Sequence, residues 1–247
     1  MNGDSRDLTL TAEKQNPPLS PFSKWESDTA VGAISYDTAS AGGSEYPFKR
    51  SFDFVLATLA LIVSVPLWAI FALAIKLEDG GPVLFRQKRW GKDKKPIQVY
   101  KFRTMVADAD KKFGGVQASE DDPRITRVGR FLRATSLDEL PQILNIWRGE
   151  MSWVGPRVLP INEVQIREEN GFLPDEATPG FDLRCTVRPG LTGMAQIYAP
   201  RDVPRADKFR YDLLYIQNQN LWLDLRLIAM SFWITFRGKW ESRERKI

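Results

Sequence analysis

Asp138 and Glu139 stand side by side within Ser136-Leu137-Asp138-Glu139-Leu140-Pro141-Gln142, in a region dense with arginine. Adjacent carboxylates of this kind suit an anionic nucleophile or a ligand set for a hard cation. Ser136 and Glu139 have the S-x-x-E spacing of a capping box. Leu140, Ile143, Leu144 and Trp147 then recur at helical intervals until Arg148 and Gly149 supply a stop signal. The pattern predicts an amphipathic helix opening at the acidic pair. Asp138 would then be held ionised near the positive end of the helix, an end that also attracts phosphate. Acids that merely stabilise a helix start leave the same pattern, so the company they keep must decide.

Composition removes many other chemistries. The 247 residues contain no histidine, which excludes Ser-His-Asp and Cys-His arrangements, histidine zinc sites and imidazole general bases. Cys185 is the only cysteine and can form neither an internal disulfide nor a thiolate metal cluster; packing is its expected role. Neither a P-loop nor a strand-bound G-x-G-x-x-G is present. Carboxylates, arginines, lysines, hydroxyls and an oxygen-ligated metal such as Mg²⁺ are what remain.

The elements that must position the acids begin after a polar extension. Residues 1–47 hold three basic and seven acidic side chains, are rich in Ser, Thr, Gly, Asp and Pro, and show no periodicity, so a disordered segment is expected. Residues 48–247 carry a formal charge of +8, which suits nucleic acid, a nucleotide substrate or an anionic lipid surface. The surface is favoured because residues 54–75 form a run of 22 without a charge, long enough to cross a bilayer. Pro66 falls mid-run with Ser64 nearby as a partner for freed backbone groups, so a bend is expected. Lys49 and Arg50 precede the run, Lys76 follows it, and residues 86–95 are strongly basic, so the positive-inside bias selects neither end. Both a kinked span and a re-entrant helix with its two ends on the cytoplasmic face satisfy this pattern. Asp53 is expected to pair locally with Lys49 or Arg50 at headgroup level.

Further along, Val83 to Arg89 and Ile97 to Phe102 alternate around a polar turn and predict a β-hairpin. Residues 106–122 read as a loop with a short helix. Arg124, Arg127, Arg130 and Arg133 recur every three residues, usually the mark of a solvated or headgroup-facing stripe; of these, Arg133 is near enough to Asp138 to assist it. Two Gly/Pro turns, at residues 151–158 and 187–193, present Arg157 and Arg188. The apolar stretch from Trp222 to Phe236, bordered by Arg226, Arg237 and Trp240, reads as an interfacial or a buried helix.

The order of "KRSFD", a proline-broken apolar stretch, "DGGPVLFRQKRWG", "VYKFRTM", "DDPRITRVGRFLRATSLDELPQILNIWRGEMSWVGPR" and "VRPGLTG" resembles the bacterial sugar transferase family, the monotopic phosphoglycosyl transferases acting on polyprenyl phosphate. The resemblance runs from about residue 49 to residue 227. It implies a membrane-associated, α-dominated α+β fold: a re-entrant membrane helix over residues 48–80, then a small cytoplasmic-face catalytic domain over 81–247 with a β-hairpin and interfacial amphipathic helices. Larger members add a bundle of membrane spans, whereas this sequence resembles the compact catalytic form with a polar extension.

The resemblance also implies a mechanism at the bacterial inner membrane. Asp138 matches the nucleophile that attacks the β-phosphorus of a nucleoside diphosphate-sugar, by family precedent a uridine one, and Glu139 matches the second acid, assisting with metal or proton. Polyprenyl (undecaprenyl) phosphate then takes the phosphosugar, initiating exopolysaccharide or other glycan assembly. Mg²⁺, held at Asp138 and Glu139, is the implied cofactor. Arg133 and Arg157 match phosphate contacts, with Lys101, Arg103 and Arg188 as further candidates; Ser64 and Pro66 mark the helix break. Anionic headgroups are expected partners, nucleic acid is not, and a homo-oligomer is compatible with the pattern. Two departures stand out: Val65 precedes Pro66 where the family often has Ser or Ile, and Val158 follows Arg157 where it has a second proline. A membrane-anchored Mg²⁺-dependent phosphohydrolase and a non-catalytic scaffold on acidic lipid are the competing readings.

Overall fold

A computed structural model describes residues 44–107, 109, 122–161, 164–167, 171–199 and 203–237. The expected loop and short helix at 106–122 lie mostly outside the described residues, as does most of the polar extension. Helix α1, Lys49–Asp79, carries the apolar run. It is followed by a hairpin of β1, Leu84–Trp90, and β2, Pro96–Phe102, then by α2, Arg127–Ala134. A 3₁₀ segment, Leu137–Gln142, leads into α3, Ile143–Arg148. The remainder comprises β3, Ser152–Val154; β4, Val164–Arg167; β5, Gly171–Pro174; and α4, Phe181–Arg184. Strand β6, Gly190–Thr192, and helices α5, Met194–Tyr198, α6, Arg205–Asn218, and α7, Leu221–Phe236, close the described chain.

The hairpin follows the alternation closely, with Leu84 opposite Phe102, Phe85 opposite Lys101 and Trp90 opposite Pro96. Strands β3 and β6 pair in parallel, so the two Gly/Pro turns read separately from the sequence lie side by side. Their closeness demands glycine: a Cβ on Gly190 would come within 2.1 Å of the Gly155 nitrogen.

Helix α1 passes through Pro66 without ending. Ser64 is buried and its Oγ donates to the Leu61 carbonyl at 3.3 Å, one position away from the Ile62 carbonyl that Pro66 leaves without its helical donor. Ile62, Val63 and Val65 around it are 58–74% exposed, an apolar surface that water does not favour. Both ends of α1 touch the rest of the protein. Near the start Phe54 stacks on Trp147 of α3; towards the end Phe71 and Ile75 pack with Phe102 and Leu132.

The start of α1 is fixed by buried charge. Lys49, 2% exposed, donates to Asp224 of α7 at 2.5 Å and to the Tyr215 hydroxyl of α6 at 3.0 Å, while Tyr215 donates to Asp224 at 2.7 Å. Asp53 therefore makes no local headgroup pair of the expected kind. It is fully buried and accepts from Ser152 Oγ at 3.0 Å and the Trp153 backbone N–H at 3.1 Å, because its side of the helix faces β3 and Lys49 is already taken. The arginine stripe is likewise only partly solvated: Arg127 and Arg130 are exposed, but Arg124 is buried against Asp122 at 2.6 Å. Cys185 is packed as expected, and burial pushes its thiol up to about 11.

Removing one partner of a buried pair strands the other charge, which costs about 3–5 kcal/mol. Asp224→Ala should therefore lower the denaturant midpoint of the purified protein by a corresponding amount, and an unchanged midpoint would contradict the anchoring role of this pair.

Candidate active site

Asp138 and Glu139 lie on the 3₁₀ segment between α2 and α3 rather than in the first turn of an α-helix. Pro141 is the reason. It has no N–H to return to the Leu137 carbonyl, so regular α-helical bonding begins only beyond it. The capping box does not form either. Ser136 sits in the left-handed region at φ 56° with no side-chain cap bond, and its N–H is bound to the Arg133 carbonyl. Glu139 instead reaches across to β2, accepting from Lys101 Nζ at 2.5 Å. The strained Ser136 turn reverses the chain between α2 and the acids, and Leu137 and Leu140 fix the segment by packing on the Phe71–Phe102–Leu132 cluster.

Helix α3 holds the far side. Asn145, fully buried, donates to the Gln98 carbonyl at 2.7 Å and to Glu150 at 2.6 Å, which ties α3 to the hairpin. Arg50 of α1 donates to the Ile146 and Trp147 carbonyls at 2.8 and 2.7 Å, closing the end of α3. Gly149, at φ +83°, leaves the room this needs, since a Cβ there would lie 3.1 Å from Arg50 Nε. At the other end of α1, Glu78 accepts from the backbone N–H groups of Arg127 and Val128 at the start of α2. The helices on either side of the acids are thus each capped by α1.

The cations around the pair separate the two acids. Loss of solvation raises the Asp138 carboxyl to about 6; Lys101 and Arg133 oppose this, and the Glu139 charge adds to it. Glu139 moves the opposite way. Burial pushes it up, but Lys101, Arg157 and Arg89 together hold it below the usual carboxylate range. Asp138 is therefore not kept ionised by a helix end, as the sequence pattern predicts: the 3₁₀ segment is too short and irregular to supply that field, and desolvation prevails.

Of the residues singled out from sequence, Lys101 bonds Glu139, Arg133 acts on Asp138, and Arg157 acts on Glu139. Arg103 and Arg188 are committed elsewhere: Arg103 pairs with Asp79 at the end of α1, and Arg188 with Glu45 beside its start. Arg89 was not among the expected residues. On β1 it donates to the Val158 carbonyl at 2.8 Å and to Gln87, and its charge reaches Glu139. It reads in sequence as one more hairpin charge; its place in the "FRQKRWG" run is the only signal that could have marked it. Among the described residues no group of three or more acidic or cysteine side chains gathers into a metal cage. Asp138 and Glu139 form a two-carboxylate oxygen set, which suits a cation that keeps waters and is completed by phosphate oxygens.

Sequence comparison identifies the family. The profile of the family described as Bacterial sugar transferase matches residues 44–238. The UDP-glucose:undecaprenyl-phosphate glucose-1-phosphate transferase of Klebsiella pneumoniae is 40% identical over 223 residues, 88% of this chain and 46% of the relative. The protein of the same name from Escherichia coli K12 is 42% identical over 83% of this chain and 43% of its own length. The exopolysaccharide production protein PSS of Rhizobium leguminosarum bv. phaseoli is 44% identical over 73% of this chain and 90% of the relative. The chain thus spans under half of the first two and nearly all of the third.

Because Lys101 lowers and desolvation raises the Asp138 carboxyl, the ¹³Cγ resonance of Asp138 should titrate near pH 6 and move to higher pH in Lys101→Gln. A midpoint at an ordinary aspartate value, unmoved by Lys101→Gln, would contradict the assigned environment.

Proposed function

The chain belongs to the bacterial sugar transferase family, and from that premise we propose that it moves a sugar-1-phosphate from a UDP-sugar to undecaprenyl phosphate through a covalent aspartyl intermediate. The single observation that carries the reading is an asymmetric acid pair among cations. Glu139 is held by Lys101, whereas among the described residues no ion pair holds Asp138, whose raised carboxyl makes it a better nucleophile than an ordinary carboxylate. UDP-glucose is the first donor to test, because the Klebsiella and Escherichia relatives are named for it.

In the first step an Asp138 oxygen forms a bond to the β-phosphorus, and the bond from that phosphorus to the bridging oxygen breaks. Uridine monophosphate leaves with the electron pair. Arg157 and Arg89 counter the charge that builds on the phosphate oxygens, and Arg133 screens the approach of one anion to another. In the second step an oxygen of undecaprenyl phosphate attacks the same phosphorus, the Asp138–phosphorus bond breaks, and the carboxylate is regenerated. Mg²⁺ is the cation the two carboxylates fit; bound by Asp138 and Glu139, it would neutralise diphosphate charge. Glu139, kept ionised across the working pH range by its cations, holds Lys101 at the site.

The same reading places the protein at the cytoplasmic face of the bacterial inner membrane, with residues 48–80 as a re-entrant element and 81–247 as the catalytic domain. Its support is the pairing of an exposed apolar middle of α1 with two ends that contact one body. The acceptor phosphate would then meet the site at headgroup level, near Arg103 or Arg188 if either pair opens, beside anionic lipid.

Asp138→Asn should abolish transfer of glucose-1-phosphate from UDP-glucose to undecaprenyl phosphate while the protein still sediments with membranes; full activity would refute the nucleophile. In a Cys185→Ser background, single cysteines placed at the exposed positions 54 and 77 should be labelled from the same side of sealed vesicles, and labelling from opposite sides would refute the re-entrant helix.

A further inference from the structure

The turn that presents Arg157 runs Gly155-Pro156-Arg157-Val158, with no proline after the arginine to stiffen it. One side is held by β6, where the Gly190 N–H donates to the Pro156 carbonyl at 2.9 Å. The other side is held by an ion pair brought from two later elements. Arg184, the last residue of α4, donates through Nη2 to the Arg157 carbonyl at 2.5 Å, and through Nε and Nη2 to Asp212 Oδ2 on α6 at 3.0 and 2.9 Å. Burial pushes the Asp212 carboxyl above its ordinary range, against the opposing pull of Arg184 and, behind it, of Arg157, and among the described residues its Oδ1 has no hydrogen-bond partner.

Both side chains are buried, at 4% and 2% exposure. The Arg184 guanidinium lies 4.5 Å from the centre of the Phe209 ring, and Phe209 packs with Leu159, Phe181 and Cys185. Apolar side chains of similar volume would fill this space at least as well, since burying two charges costs more solvation than the pair readily returns. What the charges add is direction. The remaining strong hydrogen bond of the pair goes to one peptide, the one carrying the arginine that acts on Glu139.

We propose that Arg184 and Asp212 form a positioning clamp for Arg157, fixing its peptide so that the guanidinium meets the donor diphosphate in one orientation. They are positioning residues, acting through Arg157 without touching substrate. The clamp supplies from outside the turn the rigidity that a following proline would supply from within it. This inference rests on the reading in which Arg157 contacts the donor phosphate.

The test is a double-mutant cycle on the whole protein in detergent, measuring the second-order rate of uridine monophosphate release from UDP-glucose. Arg184→Lys keeps the charge but cannot hold Asp212 and the Arg157 carbonyl in the same fork. Misplacing a charge-stabilising group by about 1 Å costs up to 100-fold in rate, so Arg184→Lys should lose about 10- to 100-fold in the wild-type background. In the Arg157→Ala background the same change should cost less than about 2-fold, because no guanidinium remains to be aimed. Asp212→Asn, which keeps the side-chain shape, is carried through the same cycle, and only variants that keep a cooperative melt are compared. Losses that multiply across the two backgrounds, or clamp variants of full activity beside an impaired Arg157→Ala, would overturn the clamp and leave the donor-contact reading standing. A fully active Arg157→Ala would overturn both.

Discussion

Everything at the site depends on the contact between Lys101 and Glu139. It crosses 38 positions of sequence to join the hairpin to the 3₁₀ segment, and it decides how charge is shared between two neighbouring acids. Adjacent carboxylates in a confined space cannot both ionise freely, so whichever receives the better cation takes the charge and the other titrates later. Glu139 receives Lys101, with Arg157 and Arg89 behind it. Asp138 also feels Lys101 and Arg133, but there desolvation prevails. A carboxylate in that position loses less by giving up its charge to a phosphorus, which is the physical core of the proposed transfer.

Helix α1 ties this electrostatic arrangement to the apolar surface it carries. Arg50 closes the end of α3 and Glu78 the start of α2, each charge matching the sign that the helix end favours. The two helices flanking the acids are therefore gripped from opposite ends of one element, and the buried Lys49–Asp224 pair extends the grip to α7. A site that meets a lipid-borne acceptor, as proposed, would gain from this arrangement, since the element exposing the apolar surface also contacts the helices on both sides of the acids. Exposed Trp222, Phe232 and Trp233 on α7 enlarge the apolar surface.

Much of this was legible in the sequence where local rules suffice. The hairpin matched its alternation and polar turn to within a residue, and the apolar helix and the C-terminal apolar helix were plain from composition. The acidic pair was visible by residue type, yet its local structure was not. Pro141 and a distant lysine overrode the S-x-x-E spacing, and no local rule anticipates a partner from another element. Arg103 and Arg188 carried the right chemistry, but Asp79 and Glu45, neither apparent as a partner from spacing, hold them in pairs. Strands β3 and β6 are three residues each, too short for periodicity to register, so their pairing emerged only from the fold. Arg89 was hidden for a similar reason, its role set by the Val158 carbonyl opposite.

The most direct test of the account is intact-protein and peptide mass spectrometry after incubation with Mg²⁺ and UDP-glucose in the absence of any lipid acceptor. The account predicts release of uridine monophosphate in step with a glucose-phosphate adduct on the peptide containing Asp138, discharged when undecaprenyl phosphate is added. Turnover that requires both substrates together, with the peptide never modified, would contradict it.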